Sequence, residues 1–207
     1  MKNIAIITAR GGSKRIPRKN IKEFMGKPML AYAVEAAVNS KVFDEVMVST
    51  DDVEIAEIAK QFGAKVPFMR SEKTANDFAT TADVLDAVIS EYKKRGKTFD
   101  ELCCIYPCVP FLTADVINNA YEKFVTAQMN LNFYNDKLLK NSDEMIRVSK
   151  RSYEVGKSNL TSLIVMEQSY KSIIIGYTYA LADYYNCWIN FLREVNQEEL
   201  KTDNEVI

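Results

Sequence analysis

Ile4-Ala5-Ile6-Ile7-Thr8-Ala9-Arg10-Gly11-Gly12-Ser13-Lys14-Arg15-Ile16-Pro17-Arg18-Lys19-Asn20 is the stretch from which the rest of the chain can be read. Its first four residues are an uninterrupted apolar run, the pattern of a strand buried on both faces of a parallel sheet. The run empties into Gly11-Gly12, where a backbone without Cβ atoms can turn tightly and approach a ligand. Arg10, Lys14, Arg15, Arg18 and Lys19 surround the glycines, and no acidic residue follows before Glu23. A strand that opens into cations and backbone N–H donors suits a phosphate group. A solvated basic loop is the competing reading, and the charge density and strand context favour phosphate. The loop lacks the Gly-Lys-Ser/Thr ending of a Walker A motif and the third glycine of the dinucleotide fingerprint.

Working outward, strand and helix signals alternate. Gly26-Lys27-Pro28 leads into a helix with Leu30, Val34, Ala37 and Val38 on one face. A second strand lies within Phe43–Thr50, and Asp51-Asp52 can cap the next helix, which stops at Gly63. Ala64–Phe68 reads as an edge strand, because Pro67 cannot donate to a ladder. A helix is expected over Ala82–Lys94, a strand over Leu102–Tyr106, and a further helix from Thr113 or Asp115 to about Thr126. This order predicts an α/β fold, a Rossmann-like parallel sheet with helices on both faces. Ligands belong at the carboxyl ends of its strands, where the basic loop, Ser49-Thr50-Asp51 and Tyr106-Pro107 fall.

The 207 residues carry a formal charge of -1, so no global field draws in nucleic acid, and none is expected as a partner. The chain has no histidine, which removes Ser-His-Asp triads and histidine metal sites. Any metal must rest on oxygen ligands, the preference of magnesium. Cys103, Cys104, Cys108 and Cys187 read as reduced, mostly buried small hydrophobes. Met1-Lys2-Asn3 leads straight into the first strand without a leader pattern, and no run reaches the roughly 20 apolar residues of a membrane span. A cytoplasmic location is expected. Phe24, Phe62, Phe68 and Phe78 read as core rather than as base-stacking groups.

Ala9 to Asn20, continued by Ile21-Lys22, resembles without gaps the signature of the acylneuraminate cytidylyltransferases, which make CMP-sialic acid and related CMP-nonulosonic acids such as CMP-pseudaminic acid. Val48-Ser49-Thr50-Asp51, then Val66–Arg70 with Thr74–Asp77, and Cys103–Tyr106 with Pro110-Phe111-Leu112 resemble later parts of that family. Thr8 stands where the family usually has proline. Pro107-Cys108-Val109-Pro110 stands where it usually reads Ala-Thr-Ala-Pro, which loosens the inference of cytosine selectivity. The resemblance covers roughly residues 1–126. It implies CTP and a nine-carbon sugar acid as substrates, magnesium as cofactor, Arg10 and Asn20 on the nucleotide, and Arg70 near its ribose or base. With the reading of the loop itself, Gly11, Gly12 and Ser13 contact phosphate, while Lys14 and Arg15 balance the triphosphate charge and carry catalysis. Arg18 and Lys19 are as readily solvated surface as ligands. No metal ligands are identified: Asp143, Asp183 and Asp203 lie outside any context like the family's.

Ala127–Asp136, with Asn130, Asn132 and Asn135, reads as a connection. From Leu138 apolar residues recur at steps of three and four, broken only at Val155-Gly156-Lys157-Ser158-Asn159, which predicts a long helical hairpin or coiled coil. Asn141–Val148, Arg151–Lys157 and Ala180–Tyr184 resemble the helical repeats of TolC-like outer-membrane efflux proteins, while a generic hairpin serving as an oligomerisation arm fits equally. The expected division is a nucleotide-binding domain over 1–126 and a helical arm over 127–207, with homo-oligomerisation through the arm. The expected function is transfer of CMP from CTP to a nonulosonic acid. The alternatives are a CTP-binding domain without turnover fused to a helical assembly segment, and a helical structural or transport-assembly protein.

Overall fold

The structure, a computed structural model, describes residues 2–76 and 78–196. The chain forms two compact units, one made of the residues up to Tyr121 together with the chain from Phe191, the other of Glu122–Asn190.

In the first unit, β1 (Asn3–Thr8) is followed by the basic loop and a 3-10 turn at Lys19–Ile21. A two-strand ribbon, β2 (Glu23–Phe24) and β3 (Lys27–Pro28), comes next. Its turn residues Met25 and Gly26 both have positive φ, the backbone that a tight two-residue hairpin requires. Then follow α1 (Met29–Ser40), β4 (Glu45–Ser49), α2 (Val53–Gln61), the single turn α3 (Glu72–Ala75), α4 (Thr81–Lys94) and β5 (Glu101–Ile105). β1 is the central strand, parallel to β4 on one side and β5 on the other. The chain thus leaves β1 for one neighbour and later returns to its opposite edge. The loop after β1 sits where the strand order reverses, the place where open parallel sheets bind ligands.

Alternation along the strands sorts the core. Ala5, Ile7, Val46, Val48, Cys103 and Ile105 pack on one face with α1, α2, Ile117, Phe191 and Val195. Ile4, Ile6 and Met47 pack on the other with Val88 and Tyr92 of α4. Ile4 through Ile7 have no exposed surface, and burying each isoleucine contributes about 1.5–3 kcal/mol. The expected parallel sheet with helices on both faces is what forms. The expected edge strand at Ala64–Phe68 shrinks to one bridge: Lys65 donates to the Val46 carbonyl and accepts from Val48. Pro67, lacking an N–H, cannot extend it.

Helix ends follow local chemistry. Asp52 caps α2, accepting from the Ile55 amide at 3.1 Å. Thr80 and Asp83 form a reciprocal capping box on α4, an arrangement whose loss costs about 1 kcal/mol. All four cysteines are free, with only Cys103 fully buried.

α5 (Ala114–Phe133) continues into a π-helical segment, Tyr134–Leu138, and then α6 (Leu139–Glu154). Thr126 therefore lies inside a helix, and Ala127–Asp136 is helical rather than a loop. The asparagines suggested a connection, but Ala127 and Leu131 are buried, and packing overrides propensity. α7 (Leu160–Asn196) returns antiparallel after a turn at Gly156. The second unit is the predicted hairpin, cross-linked by Lys150–Glu167 and by rings of Phe124 and Tyr184 5.5 Å apart. No helix among the described residues is long and apolar enough to cross a membrane.

Candidate functional site

The basic loop is pinned at its root. The Ala9 amide donates to the Ser49 carbonyl at 3.0 Å, and the Gly11 amide donates to Asp51 Oδ1 at 2.9 Å. Gly11 owes its identity to crowding: a Cβ there would meet Asp52 Oδ2 at 2.7 Å. Gly12 has open space around it. Neither glycine is among the residues with positive φ, so absent bulk rather than left-handed backbone is what they supply.

Beyond the glycines the chain curls around a cavity of about 740 Å³, lined by Thr8, Arg10, Ser13, Lys14, Arg15, Ile16, Lys19, Asn20, Tyr106 and Pro107. Arg10, Ser13, Lys14, Arg15 and Asn20, all expected at the site, are therefore gathered on one wall system. Gly11 and Gly12 lie in the same loop but do not line it. Lys19, left open as surface or ligand, is on the wall. Its place depends on the turn that follows Arg18, which spacing alone does not show.

Asn20 is buried and ties the loop together. Its Nδ2 donates to the Arg10 carbonyl at 2.8 Å, and its Oδ1 accepts from Cys108 Sγ at 3.5 Å. It thereby joins the loop after β1 to the exit of β5. That exit is held from another side by Asn196, which accepts from the Tyr106 amide at 2.8 Å and donates to the Cys104 carbonyl at 3.2 Å.

Arg70 lines a smaller adjoining cavity of about 200 Å³ that shares Thr8 and Arg10 with the first and adds Thr74, Asn76, Thr80 and Thr81. Its guanidinium donates to Ser49 Oγ at 3.2 Å and to the Ser49 carbonyl at 2.8 Å. Burial pushes the Arg70 pKa down; Asp51 opposes this and the Arg10 charge adds to it. Arginine does not give up its proton in a protein, so the shift marks a half-buried positive charge that an anion would relieve. Arg10 reaches the same region, donating to the Asn76 carbonyl at 3.3 Å. Phe78, expected in the core, is 93% exposed beside this cavity's rim residue Ala79. Phe24, Phe62 and Phe68 are partly buried.

Among the described residues no group of three or more acidic or sulfur side chains is placed to hold a metal. Asp51 and Asp52 beside the loop are engaged by Gly11, Ile55 and Arg18. Asp143 accepts from Tyr170, and Asp183 lies 4.0 Å from the Cys187 thiol. Asp203 lies outside the described residues. Among the described residues the side chains do not assemble a protein ligand set for magnesium.

A loop of cations and small residues around a cavity at a parallel sheet's switch point can bind and neutralise a polyphosphate. The chain is 47% identical over 133 residues to a pseudaminic acid cytidylyltransferase of Campylobacter jejuni, covering 64% of this chain and 57% of that protein. It is 40% identical over 125 residues to a CMP-N,N'-diacetyllegionaminic acid synthase of Legionella pneumophila, covering 59% and 53%. An N-acylneuraminate cytidylyltransferase A of Danio rerio is 41% identical over 118 residues, 57% of this chain and 26% of that one. The chain spans about half the length of the two bacterial relatives. The cytidylyltransferase family pattern matches residues 4–171, well past the limit near 126 that the motifs alone suggested and into the stretch likened to efflux-protein helices. The chain belongs to the cytidylyltransferase family.

Proposed function

We propose that this chain transfers CMP from CTP to a nonulosonic acid of the sialic or pseudaminic type. The observation that carries the reading is the cavity walled by Arg10, Ser13, Lys14, Arg15, Lys19 and Asn20 at the end of β1. The printed activities of the Campylobacter jejuni and Legionella pneumophila relatives support it. In the proposed reaction a hydroxyl oxygen of the sugar acid bonds to the α-phosphorus of CTP and gives up its proton to water. The bond from that phosphorus to the bridging oxygen breaks, and pyrophosphate leaves with the electron pair. Such transfers depend on positioning and charge neutralisation more than on a side-chain nucleophile. Lys14 and Arg15 take the triphosphate charge, Ser13 offers its hydroxyl, Gly11, its amide held by Asp51, and Gly12 shape the loop from behind the wall, and Arg10 and Arg70 bracket the ribose and base in the adjoining cavity. Asn20 acts through the loop it braces. Magnesium belongs to this proposal as an ion arriving on the triphosphate, a habit of that ion, and no residue here is assigned to it.

The proposal includes a cytoplasmic location, a nucleotide-binding part over residues 1–126 completed by the end of α7, and a helical arm between them that associates with a second copy. The exposed apolar residues Met145, Val148, Ile164 and Tyr179 of the hairpin support association. A second reading, CTP binding without turnover joined to a helical assembly segment, draws on the engagement of Asp143 and Asp183 within the hairpin. Titration with CTP, UTP, ATP and GTP, followed by pyrophosphate release with pseudaminic and N-acetylneuraminic acid, separates the two. CTP selectivity with turnover supports the first reading, and binding alone supports the second. Replacing Lys14 and Arg15 together with Ala should weaken CTP binding at least about tenfold, given about 1.5–3 kcal/mol for each charge-assisted contact. Unchanged affinity removes the loop from the site.

A further inference from the structure

Five cations crowd the loop, and one of them faces away from the cavity. Arg18 does not line it. Its guanidinium instead pairs with Asp52 and with Glu54 in the first turn of α2. Arg18 also has left-handed backbone, φ 56° and ψ 29°, a conformation uncommon outside glycine that persists only where the surroundings enforce it. The left-handed residue reverses the chain. Its carbonyl accepts from the Ile21 and Lys22 amides at 3.0 Å each, closing the 3-10 turn that carries Lys19 and Asn20 onto the cavity wall.

Asp52 serves this turn with every part of its side chain. Oδ1 accepts from the Ile55 amide, Oδ2 takes Arg18, and the side chain packs against the Cα of Gly11 so closely that no Cβ fits between. One carboxylate therefore touches the loop at both ends, at Gly11 where it leaves β1 and at Arg18 where it turns back. Burial would raise the Asp52 pKa, but the Ile55 amide and the Arg18 guanidinium outweigh it and hold the carboxyl below its ordinary value. The clasp is in place, charged, at neutral pH.

We infer that Asp52 and Arg18 are positioning residues that preset the loop for a polyphosphate, so that Lys14, Arg15 and Lys19 meet the anion while Arg18 never does. This deepens the proposed function and rests on it for the identity of the nucleotide. Preorganisation of this kind lowers the cost of ordering the loop on binding. It also gives the acidic turn after β4 a second hold on the loop, beside the Gly11 amide bond to Asp51.

The test uses Asp52→Asn, which keeps an oxygen for the Ile55 amide but cannot hold the ion pair, Arg18→Gln, and the double variant. Affinity is measured for CTP and for inorganic tripolyphosphate at one ionic strength, with thermal unfolding and amide exchange over Lys19–Lys22 alongside. Each single variant should weaken both ligands about tenfold, the scale on which displaced binding groups act. The double variant should be no weaker than the worse single one, because the two side chains act as a unit. Exchange at 19–22 should quicken while the melting temperature moves by only a few degrees, and Arg18→Lys should recover part of the affinity. A purely structural role predicts lowered melting with affinity unchanged in the folded fraction. Affinities within twofold of the parent, or additive losses, overturn the inference. If the parent chain binds tripolyphosphate but not CTP, the nucleotide reading falls and the clasp is judged on tripolyphosphate. If it binds neither, both fall.

Discussion

The two units bury their apolar residues differently. In the first, β1 is enclosed from both faces, and its isoleucines lose all contact with water. In the second, one long helix pair shares a single seam. α6 buries only Ser142, while Val148 stays 55% and Tyr179 71% exposed. A layered sheet closes a core by itself, whereas two helices cover only one side of each other. The first unit can be judged on its own stability and the second on what else covers it.

The largest expected effect tests whether the first unit's core includes the end of α7. Phe191 and Val195 pack with the sheet, so Phe191→Ala should lower stability by about 3–5 kcal/mol in urea unfolding. A loss below about 1 kcal/mol would hand those residues back to the hairpin. The reading that placed everything after 126 in a separate arm did not foresee this packing. Aromatic residues at helical spacing look alike whether they face a sheet or a second helix.

A middle-sized effect follows from the buried carboxylate at the start of β4. Glu45 accepts from Tyr92, Lys65 and Lys97. Burial alone would push its pKa up; donation from Lys97, Tyr92 and Lys65 outweighs it and holds the carboxyl below its ordinary 4.5. A depressed acid stabilises the fold fully above its unfolded pKa and loses that contribution as pH falls through the lower folded value. Stability of the first unit should therefore decline as pH drops below about 4.5, and Glu45→Gln should cost about 1–3 kcal/mol at pH 7 while flattening that decline. An equal acid slope in the variant would show that other carboxylates set it.

The smallest effect on folding falls on the hairpin's exposed stripe. Met145→Ser with Val148→Ser should change unfolding free energy by no more than about 0.5 kcal/mol per site, as surface changes do. The pair should nonetheless shift the sedimentation coefficient if a second copy covers this face. No shift would leave the stripe to another occupant and withdraw the oligomer.

Features carried by neighbouring residues were legible before any coordinates. The apolar run of β1, the cap at Asp52, the helix ending before Gly63 and the turn at Gly156 all form where their local chemistry says. The cations Arg10, Lys14 and Arg15 were legible as a cluster for the same reason, and they line one cavity. What was hidden depends on partners far along the chain. Arg18 and Lys19 are adjacent and equally charged, yet one turns to acids 34 and 36 residues away and the other to the cavity. Asn20 meets Cys108 across 88 residues. The asparagines near 130 follow a loop composition and become helix because Leu131 finds a buried seat.

Gly176 is the single glycine in α7, and it lies directly under the ring and hydroxyl of Tyr134 in the π-helical segment. A Cβ at that position would collide with the tyrosine. Sliding α7 by one turn would bring Ser172, Ile173, Tyr179 or Ala180 there instead, and each carries a Cβ that would displace the Tyr134 ring. Coiled helices of near-uniform apolar pattern can otherwise settle in several alignments. Tyr134 and Gly176 work as a detent: a notch on one helix receives a tooth on the other, and any other alignment has to push the Tyr134 ring aside.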